Sequence, residues 1–244
     1  MIAVLAGGVG AARLLRGLVR VVDPGDVAVV ANVADDLVLH GLHISPDLDT
    51  VTYTLGGGDN AETGWGLAGE TWQAMDALDR YGGPTWFRLG DRDLATHLHR
   101  TGRLADGAGL AEVTAEIAGA WEVGVRLLPA TEDRLRTMVT LEDGTEVGFQ
   151  EYFVGMRHDI PVAAIRFDGA EAARPTPGVL EAIDEAEVVV IAPSNPLVSI
   201  DPILAVPGIS EAVATRRSST VAVSPIVGGV ALKGPADRML AELG

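Results

Sequence analysis

The first fifteen residues, MIAVLAGGVGAARLL, constrain the fold more than any other stretch. An unbroken apolar run is followed by Gly7, Gly8 and Gly10, and then by a helical pattern over about 11–22. A strand buried on both faces reads as a continuous hydrophobic run, and a glycine turn leading into a helix opens a βαβ unit. Further apolar runs near residues 27–33, 162–167, 187–192 and 220–224 alternate with helical patterns near 67–80, 110–119, 178–185 and 235–243. This alternation predicts an α/β fold: a Rossmann-like, mostly parallel sheet with helices on both faces, formed as a single domain by residues 1–244. The segment TMVTLEDGTEVGFQEYFV breaks the pattern with two alternating stretches around Asp143 and Gly144. It predicts a small antiparallel hairpin insertion at about 130–160 that covers one side of the site.

In open sheets of this kind, ligands gather at the carboxyl ends of the strands. The second strand, VAVVANV, runs into Asp35 and Asp36, and the stretch HGLHISPDLDT then adds Asp47 and Asp49. Carboxylates that converge repel one another unless a cation sits among them. Mg²⁺ suits this composition, because it takes oxygen ligands and usually needs only one or two carboxylates beside substrate phosphates. The alternative is local: Asp35 capping a helix or turn, and Asp47 making an Asx-turn after Pro46. The glycine turn is similarly open between touching a phosphate and packing helix against sheet. Counted from Gly8 it reads G-x-G-x-x-R, with Arg13 in place of the third glycine of a dinucleotide fingerprint, and no G-K-[ST] follows.

Two later strands end in polar loops. APSNPLVSI places Ser194, Asn195 and Ser199 beyond one, and SPIVGGVALKGP places Ser224, Gly228, Gly229 and Lys233 beyond the other. Small polar residues and backbone amides fit a base edge or a diphosphate, although the prolines and glycines also serve simply to shape turns. In WFRLGDRDLATHLHRTGRL, Arg88 and Arg92 are candidates for holding an anionic substrate. Arg100 and Arg103 read instead as salt bridges to Asp91 or Asp93, or as a solvated helix face. His97 and His99 point to different helix faces and make no joint metal site, and the neighbours of His40 and His43 form no zinc set. Trp65, between Gly64 and Gly66, is the tryptophan best placed to line a pocket.

The sequence has no cysteine, which excludes disulfides and thiolate chemistry. A formal net charge of -16 argues against a nucleic-acid partner. No run approaches the roughly 18 apolar residues that span a bilayer, so the expectation is a cytoplasmic protein with no membrane partner.

Nine ordered segments together resemble the 2-phospho-L-lactate transferase family, known in actinobacteria as the phosphoenolpyruvate transferase of coenzyme F-420 biosynthesis. They are LAGGVGAARLLRGL, NVADD, HGLHISPDLDT, YTLGGG, GWGLAGETW, WFRLGDRDLATHL, FQEYFV, APSNPLVSI and SPIVGGVALKGP. The resemblance implies transfer of a phospholactyl or phosphoenolpyruvyl group from a guanosine diphosphate-linked donor to the hydroxyl of Fo, a deazaflavin, with release of GMP. It further implies Mg²⁺ on Asp36 and Asp49, Fo contacts from Asp49, Arg88 and Trp65, and a homodimer. The loops at Ser194–Asn195 and at Ser224, Gly228 and Gly229 look like the guanosine nucleotide site, to which the turn at Gly8 and Gly10 would add a phosphate contact; Asp49 is the catalytic candidate, as a base for the hydroxyl proton or as a metal ligand. The chain departs from the family at Asn60 and Thr63, and it lacks a C-terminal extension that relatives are expected to carry. A nucleotide-sugar-binding regulator of the same fold is the alternative reading.

Overall fold

The computed structural model describes residues 1–158 and 160–243. In chain order the elements are β1 (Ile2–Ala6), α1 (Gly8–Leu18), β2 (Val27–Ala31), β3 (Leu37–Leu39), β4 (Leu42–Ile44), α2 (Pro46–Leu55), α3 (Gln73–Asp79), α4 (Asp93–Ala105) and α5 (Leu110–Ala120). They continue as β5 (Arg126–Pro129), β6 (Arg136–Leu141), β7 (Glu146–Gly148), β8 (Val162–Asp168), α6 (Val179–Asp184), β9 (Val188–Ile191), α7 (Asp201–Leu204), α8 (Ile209–Thr215), β10 (Thr220–Ala222), β11 (Ile226–Val227), β12 (Val230–Ala231) and α9 (Ala236–Leu243).

A five-stranded parallel sheet runs in the order β10-β9-β1-β2-β5, with Ile2 opposite both Val27 and Val188. Its two faces explain the unbroken apolar runs. Ala3 and Leu5 pack with Ile183, Val189, Ile203 and Ile209 on one side, whereas Val4 and Ala6 pack with Leu15, Leu48, Val51 and Leu127 on the other. Leaving β1, the chain steps outward through β2 to β5 and later returns on the opposite flank as β9. The switch in strand order therefore lies at β1, where a crevice opens for a ligand.

Two strand assignments need correction. Residues 162–167 are not part of the parallel sheet: β8 pairs antiparallel with β6, which also pairs with β7, making a separate three-stranded sheet. The fifth parallel strand is β5 instead. The expected hairpin forms between β6 and β7, and Phe149, Tyr152 and Met239 pack with Val139, Leu141, Val147 and Val162 beneath it. The helical pattern at 67–80 forms only as α3, because Gly69 adopts φ 67 and Asp91 caps the helix start by accepting from the Gln73 and Ala74 amides, each at 3.0 Å. Among the described residues no single helix is long and apolar enough to cross a membrane.

Candidate active site

At the carboxyl end of the sheet, the segments after β1, β2 and β9 wall a cavity of about 650 Å³. The glycine turn packs closely there. A Cβ on Gly10 would lie 2.0 Å from the Pro193 carbonyl oxygen, so only glycine lets α1 approach the loop after β9. Ser194 latches the two loops, its hydroxyl donating to the Gly7 carbonyl at 2.7 Å and accepting from the Gly7 amide at 3.3 Å. Asn195 caps the next turn by accepting from the Leu197 amide at 3.0 Å. Gly8, Gly10, Ser194 and Asn195 all line the cavity, but the Gly8 amide already donates to Asp47 Oδ1 at 2.8 Å. Its N–H is therefore not free for a phosphate.

The four aspartates do come together, in two differently compensated pairs. Asn32, at the end of β2, donates through its Nδ2 to Asp47 Oδ2 at 2.9 Å and to Asp35 Oδ2 at 3.2 Å. Asp35 Oδ1 is buried and makes no close hydrogen bond among the described residues, the Thr137 hydroxyl being the other polar group that acts on this carboxyl. Burial first, and the Asp47 charge second, hold the Asp35 carboxyl well above its ordinary pKa. Asp47, at the start of α2, is pushed up to about 6, by burial above all and then by the charge of Asp49. Asp49 is neutralised by the protein. Arg100, from α4, is 1% exposed and grips both oxygens of Asp49, one of them at 3.1 Å. Asp49 and Asp93 are thereby joined through His97, whose Nδ1 lies 3.8 Å from Asp49 Oδ2 and whose Nε2 lies 3.2 Å from Asp93 Oδ2. Tyr53 Oη donates to Asp93 at 2.6 Å.

Several expectations are corrected by this geometry. Asp36 does not line the cavity: it accepts from Ser45 Oγ at 2.6 Å behind the wall formed by Asp35, Asp47 and Asp49. Arg100 is neither solvated nor paired with Asp91 or Asp93, because α4 turns it inward onto α2, whereas Arg103 forms its ion pairs with Glu112 and Glu116 at the surface. Ser224, Gly228 and Gly229 are not brought to the cavity. The glycines, with φ 61 and 86, form the two-residue turn of the exposed β11–β12 hairpin, and Ser224 Oγ accepts from the Ile226 amide at 3.1 Å. His40, with φ 53, occupies the turn of the β3–β4 hairpin, so the i, i+3 helical relation with His43 does not exist.

The facing wall is aromatic. Trp65 is 49% exposed on the cavity, and Trp72, Phe87, Phe149 and Phe153 also line it. Arg88 stacks over Trp72 at 4.9 Å and pairs with Asp76 at 2.9 Å. Asn32 is the polar residue the sequence does not single out, and Asp35 and Asp47, members of the acidic cluster, take the under-compensated wall positions expected of Asp36 and Asp49. The NVADD segment held the signal, but only the fold shows that one amide serves two carboxylates. Among the described residues no group of three or more His, Asp or Glu is placed to enclose a metal. Two buried carboxylates on the cavity wall with no cation paired to them among the described residues nevertheless fit Mg²⁺, which keeps waters and takes further ligands from substrate phosphates.

The model of the family 2-phospho-L-lactate transferase CofD matches residues 2–244. The chain belongs to this family. It is 52% identical to the phosphoenolpyruvate transferase of Streptomyces coelicolor over 100% of this chain and 77% of that protein. To the phosphoenolpyruvate transferase of Nocardia farcinica it is 46% identical, over 100% of this chain and 75% of that protein. A crystal structure of a UPF0052-family protein from Bacillus halodurans superposes with a TM-score of 0.60 at 23% identity, covering 86% of this chain and 64% of that one. The last match shows the shared fold. Membership of the 2-phospho-L-lactate transferase family makes the chain a transferase, with its cavity at the strand-order switch.

Proposed function

We propose that this transferase moves a phosphoenolpyruvyl or phospholactyl group from a guanosine diphosphate-linked donor to the hydroxyl of Fo, releasing GMP, as a step of coenzyme F-420 biosynthesis. The hydroxyl oxygen bonds to the phosphorus bearing the three-carbon acid, the bond from that phosphorus to the GMP oxygen breaks, and the hydroxyl proton passes to a carboxylate. The observation that carries this reading is one cavity with under-compensated carboxylates on one wall and aromatic rings with Arg88 on the other. Phosphoryl transfer asks little of a protein beyond positioning and charge stabilisation, and a planar deazaflavin asks for flat apolar surfaces. The names of the 52%-identical relatives favour the enolpyruvyl donor.

Mg²⁺, when bound, neutralises charge on the diphosphate and on departing GMP. With Asp36 behind the wall and Asp49 held by Arg100, Asp35 and Asp47 are the residues we assign to hold it. Asp49, fixed by Arg100, faces the acceptor hydroxyl, while Trp65 and Arg88 hold the deazaflavin. The test is turnover of Fo with each candidate donor, read as GMP release. Asp35→Asn and Asp49→Asn are expected to lower it by at least about a hundredfold, the scale of losing one transition-state charge contact. Arg88→Ala is expected to weaken Fo binding. Near-normal GMP release from both aspartate variants at saturating Mg²⁺ would sink the assignment, and binding of a UDP-sugar with no binding of Fo would favour a regulator.

A further inference from the structure

Among the described residues, two cations on the cavity wall have no carboxylate paired with them. Lys233 is the only lysine among the 18 Lys and Arg residues of the sequence, and it lines the cavity. Arg13, on α1, lines it too and has neither hydrogen bond nor ion pair among the described residues. The contrast with Arg88 is direct, since Asp76 neutralises that guanidinium. Arg13 and Lys233 also converge. A Cβ on Gly64 would lie 2.9 Å from Lys233 Nζ and 3.4 Å from Arg13 Nη2, so the bare glycine leaves room for both heads over one point. Lys233 Nζ donates to the Thr63 carbonyl, which ties the loop after β12 to the 57–71 loop.

Like charges at such range disfavour each other. Burial first, and the Arg13 charge second, hold the Lys233 ammonium below its ordinary pKa. In a chain of net charge -16 a carboxylate partner would be easy to supply, yet among the described residues neither head has one. An oxyanion shared by a guanidinium fork and a compact ammonium relieves the repulsion through charge-assisted hydrogen bonds. The position also separates this pair from the aspartates. Arg13 lies further along α1 than Gly8, whose amide holds Asp47, by about 7.5 Å at a rise of about 1.5 Å per residue. The cavity is thus polarised, with acids at one end of the glycine turn and cations beyond it.

We infer that Arg13 and Lys233, brought together over Gly64, form an anion subsite that grips one oxyanion group of the nucleotide-linked donor, a phosphate or the carboxylate of the transferred acid. The identity of the donor rests on the reading above; the anion subsite does not. Isothermal titration calorimetry in EDTA, where no metal contributes, tests it with inorganic pyrophosphate, phosphoenolpyruvate, GDP and guanosine as separate probes. The expected result is that the unmodified chain binds pyrophosphate or phosphoenolpyruvate, and that Arg13→Ala and Lys233→Ala each weaken that binding by at least about tenfold, the scale of one charge-assisted hydrogen bond. Guanosine binding should be unchanged in both, and the melting temperature unchanged in Arg13→Ala, whose side chain is exposed and makes no hydrogen bond among the described residues. Gly64→Ala, which sets a methyl against both heads and strains a backbone with φ 74, is expected to weaken the anions in the same way while leaving both charges in place, with unchanged guanosine binding showing that the cavity is otherwise intact.

A loss for both anions assigns the phosphate as occupant, and a loss for phosphoenolpyruvate alone assigns the carboxylate. Affinities within twofold of the unmodified chain in all three variants, or an unmodified chain that binds neither anion, would overturn the subsite. A chain that binds pyrophosphate but neither GDP nor guanosine would instead overturn the nucleotide reading and leave the subsite standing.

Discussion

The Asp47 carboxyl, pushed up to about 6 by burial and by its neighbours, makes the stability of the metal-free chain depend on pH in an unusual direction. A raised native pKa means that the folded chain binds a proton more tightly than the unfolded one. The stabilisation is fully present below the unfolded value of about 3.9 and is lost as pH rises through about 6. At pH 5 a group with a pKa of about 6 is about nine-tenths protonated in the folded chain, whereas the unfolded aspartate is almost wholly ionised. Lowering the pH from 7.5 to 5 should therefore add on the order of 1 kcal/mol from Asp47, or a few degrees in melting temperature for a chain of this length. Asp35 and Asp36 are shifted in the same direction and increase the effect.

The assay is thermal unfolding in EDTA across that range, comparing the unmodified chain with Asp47→Asn. The variant keeps an acceptor for the Gly8 amide but sets its own amide group against Asn32 Nδ2, losing one hydrogen bond worth about 0.5–1.5 kcal/mol. It should be the less stable protein at pH 5 and show the flatter profile. Added Mg²⁺ should raise the melting temperature more at pH 7.5 than at pH 5, because protons and cation compete for the same oxygens. A melting temperature that falls steadily from pH 7.5 to 5, or an unaltered slope in Asp47→Asn, would refute the assigned charge state of this cluster.

Arg100→Ala leaves Asp49 buried without its counter-charge and is expected to cost about 3–5 kcal/mol, with most of the loss recovered in Arg100→Met combined with Asp49→Asn; thermal melts of the single and double variants check this. Gly10→Ala sets a methyl against the Pro193 carbonyl and is expected to cost at least about 1–3 kcal/mol by urea titration, with an unchanged midpoint arguing against the close packing.

Strands β1, β2 and β9 were legible because both of their faces are buried, which turns them into uninterrupted apolar runs. β5 was not, since RLLP is four residues long with an arginine and a proline at its ends. β8 was legible as a strand but not as to its sheet, because an apolar run names no partner. Helix α2 hid behind its own chemistry: PDLDTVTYTL reads as an acidic loop with β-branched residues, and its burial depends on α1 and α4 rather than on propensity. The acidic cluster could be read as a cluster, but not how it is divided. Arg100 lies 51 positions from Asp49, and no local spacing reports that it turns inward.

That division carries the functional meaning. A fold that needed only four buried polar groups at this corner could have matched each carboxylate with a cation, as it does for Asp49, or used amides that bear no charge. Instead Asp35 and Asp47 share the Asn32 amide, and among the described residues neither has a cation: Asp47 has besides only the Gly8 N–H and Asp35 only the Thr137 hydroxyl. Burying like charges side by side lowers stability, and such local violations persist where function requires them. The opposite violation occurs beyond the glycine turn, where Arg13 and Lys233 meet without an acid. Both groups line the same cavity, yet among the described residues no ion pair joins Arg13 or Lys233 to the aspartates. A ligand that is anionic at one end and bound through a cation at the other would satisfy both, which is the arrangement that the proposed diphosphate donor supplies.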